Sequence, residues 1–287
     1  MRNKVLAALL AATMIAASAP SLTMAADATP TAPESKGTPT TEVKTETEAG
    51  VTKTITTNTY ADGSTVTETK TEVLMSGGEV ATLVETEYKD AATGEKEVVQ
   101  VQYDTNGYEV SSVSMKEDAT GNKTVTSSDP FSQQTISQSA NGLAGIDTLE
   151  TAATSMTIGE PIEVGGETID PSILREGALT NNKSLLDAKL DVTIIEKNAV
   201  DGTNLREVDA SSVLEIGKKA FNKNRSQQTT YLNADVKIGK KAFNKNADNE
   251  TFYAVGNKAA KKAVKKELEK SGLKNPKVKK VAAAPVG

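Results

Sequence analysis

Carboxylates and amines are the reactive groups this chain has to offer. Its 287 residues hold 38 Asp and Glu against 33 Lys and Arg, with no His and no Cys. The missing His removes the commonest general base and the commonest metal ligand. The missing Cys removes thiolate metal sites and any disulfide frame. Two carboxylates could still act as acid and base on a glycosidic bond, but among so many acids no pair is marked out by its setting. The expectation is a protein that is not an enzyme and takes no cofactor and no metal. Asp201-Gly-Thr-Asn204 looks at first like a calcium loop, yet it lacks the carboxylate spacing such a site requires and reads as a turn.

The charge is unevenly spread. Residues 258–280 hold ten Lys against Glu267 and Glu269, a net of +8, while residues 27–160 hold 22 acids against 8 bases, a net of −14. The whole-chain value of −5 hides this contrast. Lys261, Lys262, Lys265 and Lys266 are therefore candidates for contact with an anionic wall polymer or a host glycosaminoglycan. The competing reading is a helix face that keeps its ammonium groups in water. Nucleic acid matches the charge, but not the export signal or the overall acidity.

The elements that must position these groups are announced by a repeat. Glu215-Ile-Gly-Lys-Lys-Ala-Phe221 returns as Lys237-Ile-Gly-Lys-Lys-Ala-Phe243. Stepping back from Ile216 by 21 residues lands on Ile195, with Ala199 and Val200 in the Ala-Phe slots; another 21 lands on Leu174, with Ala178 and Leu179. Steps of 21, 21 and 22 are the signature of a solenoid, in which each repeat is one coil. Leu174, Ile195, Ile216, Phe221, Ile238 and Phe243 are the expected repeat core. Between them run Leu185-x-x-Ala188-x-Leu190, Leu205-x-x-Val208-x-Ala210 and Thr230-x-Leu232, a weakened L-x-x-L-x-L strand pattern. Its intervening side chains point outward, which makes Arg206, Glu207, Asp209 and Tyr231 candidate ligand-binding residues. Ordinary surface residues are the competing reading.

The two IGKKAF copies, the 21–22 spacing and the closing Thr251-Phe-Tyr-Ala-Val-Gly-Asn257 before a Lys-rich helix resemble the BspA-type leucine-rich repeats of bacterial surface and secreted proteins. The resemblance covers about residues 173–281. It is strongest in the two IGKKAF copies; the earlier coils lack the Gly and the final Phe, and the Cys often found after the Phe is absent. It implies a leucine-rich-repeat fold and a non-enzymatic protein that binds or adheres at a cell surface, with a surface protein or glycan of a host or neighbouring cell as partner.

The address comes from residues 1–26. Arg2 and Lys4 precede an apolar run from Val5 to Ala19, and small residues surround Ala25 and Ala26, as in a secretory signal cut near there. The run is shorter than the about 20 residues of a membrane span, and no Cys follows it to carry a lipid. The expected location is secreted or cell-wall associated, with no stable membrane insertion after cleavage.

The remaining segments follow from composition. Residues 27–50, rich in Thr, Pro and Glu, read as a disordered linker. Over 51–128 alternating runs are separated by Asp62-Gly63, Gly77-Gly78, Thr93-Gly94, Asn106-Gly107 and Thr120-Gly121-Asn122, predicting an antiparallel meander of about six strands with one poorly apolar face. Residues 129–148, rich in Ser and Gln, read as a second linker. Residues 149–256 form the repeat module, with Met156–Ile158 and Ile162–Val164 as its N-terminal cap. Asn257 caps a helix ending near Ser271, with Gly272 as its stop and Ala260, Ala263, Val264 and Leu268 as its apolar stripe. That helix and the tail to 287 cap the other end. The fold class is mainly β. The runner-up function is a structural spacer held to the wall by this Lys-rich terminus.

Overall fold

The computed structural model describes residues 29–32, 36–75 and 78–284. The expected signal segment, with Ala25 and Ala26, lies outside them. The described residues are mainly β, with 46% strand and 6% helix. They divide into two compact units. Of the described residues, one holds those up to 133 with 138–141 and 162–169; the other holds 134–137, 142–161 and 170–284.

The first unit is an antiparallel meander of β1 (Thr40–Glu48), β2 (Val51–Thr59), β3 (Thr65–Leu74), β4 (Val80–Lys89), β5 (Lys96–Tyr103), β6 (Glu109–Glu117) and β7 (Lys123–Ser128), each paired with the next. Gly63, Gly78, Gly94, Gly107 and Gly121 take positive φ at the turns. Asp side chains close several of these turns: Asp118 Oδ1 accepts from the backbone N–H of Thr120 at 2.8 Å and of Asn122 at 3.0 Å. This is the local reason that Asp and Asn with Gly mark hairpins. The six strands expected over 51–128 are all present.

A seventh strand, β1, occupies nine residues, Thr40–Glu48, of the segment 27–50 expected to be a disordered linker. All nine of its residues are exposed, so composition correctly reads that nothing there is buried. It is held instead by the ladder to β2 and by contacts such as Thr41 Oγ1 donating to Asn58 Oδ1 at 2.6 Å. Its turn uses Ala49 and Gly50, both at positive φ; Ala is a poor residue for that region, which is why no turn signal stood out.

A second correction concerns residues 162–169. The hairpin β11 (Ile162–Val164) and β12 (Glu167–Ile169) is not a cap on the repeats but belongs to the first unit, where β11 packs on β5 and β6. Ile162, Val164 and Ile169 are buried, as are Val98 and Met115 on the meander. Lys96 Nζ holds Glu167 at 3.2 Å, and Lys123 holds its other oxygen. The hairpin gives the meander a core on its β5–β6 side.

The second unit is built from two parallel ladders. One runs β9 (Ala144–Thr151), β13 (Ile173–Leu174), β15 (Ile194–Ile195), β17 (Glu215–Ile216) and β19 (Lys237–Ile238). In register across it stand Ile146, Leu174, Ile195, Ile216 and Ile238, all buried. The expected linker over 129–148 therefore gives way to β8 (Ser132–Gln138), whose residues are divided between the two units, and to β9, which supplies a rung before the first recognised repeat. Asn141-Gly142, at the turn before β9, has φ of +88° at its Gly.

The other ladder runs β10 (Ser155–Ile158), β14 (Asp187–Leu190), β16 (Glu207–Ala210), β18 (Thr229–Leu232), β20 (Thr251–Val255) and β21 (Lys277–Val281). Helix α1 (Lys258–Ser271) packs on β19, β20 and β21. Asn257 Oδ1 caps it by accepting from the N–H groups of Ala259 and Ala260, and Gly272 ends it in the left-handed region. Ala260, Val264 and Leu268 are buried, with Ser271 completing the stripe; Ala263, expected among them, is exposed.

All six expected repeat-core residues are buried. The Gly of each IGKKAF serves close packing between successive repeats rather than a positive φ. A Cβ on Gly217 would meet the backbone C of Glu196 at 2.6 Å, and one on Gly239 the N of Lys218 at 2.6 Å. A polar ladder runs beside the apolar one. Thr203 N–H donates to Asn224 Oδ1 at 2.9 Å, and Asn224 N–H donates to Asn246 Oδ1 at 3.1 Å. These Asn residues end the repeated Phe-Asn-Lys-Asn and satisfy backbone donors that the turns between ladders leave over.

Candidate functional site

Alternation along β14, β16, β18 and β20 sends one set of side chains into the core and the other outward. Parallel register lines the outward set into two rows. One holds Ser155, Asp187, Glu207, Thr229 and Lys277, with Thr251, itself buried, between the last two. The other holds Thr157, Lys189, Asp209, Tyr231, Tyr253 and Lys279.

The second row has an aromatic end. The rings of Tyr231 and Tyr253 stack with centroids 5.1 Å apart and planes 26° from parallel. Lys279 Nζ sits 5.6 Å from the Tyr253 centroid, within cation–π range. The opposite end is acidic. A shallow depression of about 170 Å³ is lined by Met156, Asp187, Lys189, Glu207 and Asp209, among others. Partial burial, then the negative charges of Asp187 and Asp209, push the Glu207 carboxyl above its ordinary value. Burial, then Glu207, Tyr253 and Asp209, likewise raise the Tyr231 hydroxyl. Among the described residues no Lys or Arg forms an ion pair with Asp187, Glu207 or Asp209. The face thus offers a flat aromatic pair between an acidic and a basic end, which can recognise a partner by stacking and by charge.

Of the expected ligand residues, Glu207, Asp209 and Tyr231 share this face. Arg206 does not: it precedes β16 at the bend, where its carbonyl accepts from Gln228 N–H at 2.8 Å, and its side chain is exposed. Sequence reasoning missed Tyr253, Lys279, Lys189 and Asp187. Tyr253 was within reach, because it lies 22 residues after Tyr231, one repeat on. Lys279 was not, because α1 intervenes between its strand and the previous coil.

Lys261, Lys262, Lys265 and Lys266 are all exposed on α1, and Lys265 lies 3.7 Å from Glu269 one turn on. Asp201 stands at a turn, with Oδ1 accepting from Asn222 Nδ2 at 2.9 Å. Among the described residues no group of three or more carboxylates gathers as a metal site, and no helix is long and apolar enough to cross a membrane. No protein-family model matches the chain, and no curated protein and no solved structure matches it either.

Proposed function

We propose that the second unit is a short leucine-rich-repeat solenoid of the BspA type, and that the chain is an exported, non-catalytic binding protein of a bacterial surface. The fold reading is supported by the 21–22-residue period, by the two parallel ladders to which each repeat contributes, and by α1 closing one end as a cap. The binding reading rests on one observation: Lys189, Asp209, Tyr231, Tyr253 and Lys279 stand in register across one face, the two lysines exposed and the other three half-buried. Stacked, half-buried tyrosines at a surface are good binding anchors, and the chain has only 10 aromatic residues in all, 6 of them Tyr. The partner is a protein or glycan of a host or neighbouring cell.

The test is binding of the full-length chain to a panel of cell-wall polymers and host matrix proteins, at low salt and at about 0.5 M salt. Saturable binding to one target that survives the salt, and falls at least about tenfold in a Tyr231→Ala, Tyr253→Ala variant, supports the reading. Binding indifferent to those substitutions sinks it. The exposure of the four α1 lysines favours one second reading, a wall-associated spacer held by charge. It would show as attachment to anionic wall polymer that is lost at high salt.

A further inference from the structure

Each repeat of the second unit turns two corners in the left-handed region of backbone space. They fall at 177 and 181, 198 and 202, 219 and 223, and 241 and 245. The first two repeats meet this demand with Gly177, Asn181, Asn198 and Gly202, the residue types that take a positive φ most readily. The last two use lysine at all four corners, with φ of 58° at Lys219, 64° at Lys223, 60° at Lys241 and 61° at Lys245. Lysine has neither the missing Cβ of Gly nor the short amide of Asn to ease the crowding there. The stacking of coils then brings the cations of one repeat beside those of the next, about 4.8 Å along the ladder. Both features destabilise the fold, so folding does not account for the choice.

The four lysines share a polar groove of about 670 Å³ with Asn222 and Asn244. Two acids also reach it, and both are engaged. Glu176 ion-pairs with Lys197 at 2.8 Å. Asp201 accepts from Asn222 and lies 3.8 Å from Lys223 Nζ. Lys219, Lys241 and Lys245 have no acid within ion-pair distance among the described residues. The groove therefore carries uncompensated positive charge. No aromatic side chain lines it to stack on nucleic-acid bases, and the Asn222 and Asn244 amides are engaged with Asp201 and with each other, which leaves the lysines as the groups that face a ligand.

We propose that this groove is a binding site for a linear anionic polysaccharide, laid across the last two repeats with its sulfates or carboxylates on the lysine pairs. Backbone strain is kept at these corners because the cations are needed there. The site is separate from the Tyr231–Tyr253 face and from the α1 lysines, and it stands or falls without them.

The test uses the full-length chain and a heparin octasaccharide, with neutral dextran and a linear polyphosphate of similar charge as comparators, read by calorimetry. One variant carries Lys219→Gly, Lys223→Gly, Lys241→Gly and Lys245→Gly. A second carries Lys261→Gln, Lys262→Gln, Lys265→Gln and Lys266→Gln, an equal loss of charge elsewhere. The glycine variant should melt no lower than the parent, because strain is relieved, yet bind the octasaccharide about tenfold more weakly or worse. The α1 variant should bind within about threefold of the parent. Equal losses in both variants, or parental binding by the glycine variant, would overturn the site. Preference for polyphosphate over the octasaccharide would overturn the polysaccharide, and a lower melting temperature of the glycine variant the strain argument.

Discussion

Phe221 and Phe243 stack with ring centroids 5.1 Å apart and planes only 2° from parallel. The spacing is close to that of neighbouring strands, as expected when one side chain recurs at one position of successive repeats whose strands pair in parallel. Phe243 also meets Phe252 edge-on, at 5.1 Å and 76°. Phe221→Ala should destabilise the chain by about 3–5 kcal/mol, measured by urea unfolding. Phe243→Ala should do at least as much, since it removes both ring contacts. A loss below about 1 kcal/mol for either would show that the rings do not carry the packing between repeats.

Gly217→Ala should destabilise by about 1–3 kcal/mol or more, because the new methyl meets the preceding coil's backbone, which cannot yield. Gly142→Ala, where the added methyl meets nothing within 4 Å, should show only the smaller penalty of a positive φ. Thermal melts of the two variants give the comparison, and equal losses would sink the close-packing explanation.

Glu250 is buried and its carboxyl is pushed up to about 7 by that burial, against hydrogen bonds from Thr230 and Asn246 that favour the charged form. The folded value lies above the unfolded one, so the folded state holds the extra proton between about pH 4.5 and 7. This contribution to stability is complete below that window and lost as pH rises through it. Glu250→Gln should remove the dependence and raise stability at pH 8 relative to the parent. Unfolding midpoints across pH 4–8 measure it; identical slopes for parent and variant would refute the assignment.

Asn224 is buried. Its Oδ1 accepts from the Thr203 backbone, and its Nδ2 donates to Gln227 at 3.3 Å. Asn224→Ala leaves the Thr203 N–H unpaired in the interior, so a loss of about 1–3 kcal/mol is expected. Hydrogen exchange at Thr203 should rise more than at core strands. Unchanged exchange there would mean that the side chain does not satisfy that donor.

Ala49 carries φ of 49° in the β1–β2 turn. Ala49→Asn should stabilise the hairpin, by up to about 1 kcal/mol, by supplying a residue suited to that region. Slower amide exchange in β1 is the readout, and faster exchange would contradict the turn.

The period of 21–22 residues and the apolar identities at 174, 195, 216 and 238 were enough to register the short strands of one ladder, because parallel pairing repeats one environment at one spacing. The turn dipeptides from Asp62-Gly63 to Gly121-Asn122 likewise located six strands, since positive φ is a local demand met by local residue types. Asn257 and Gly272 bounded α1 for the same reason. Three features depended on the tertiary structure. β1 buries nothing and is held by its neighbour's backbone, which composition does not register. The hairpin at 162–169 packs on β5 and β6 because its buried face fits there, and nothing in those eight residues names that partner. The Tyr231–Tyr253–Lys279 row required knowing that α1 leads β21 back beside β20. Sequence periodicity fixes which residues are equivalent from coil to coil. Long-range packing decides which of them stand together, because contact between distant segments depends on shapes and unpaired edges that no local pattern encodes.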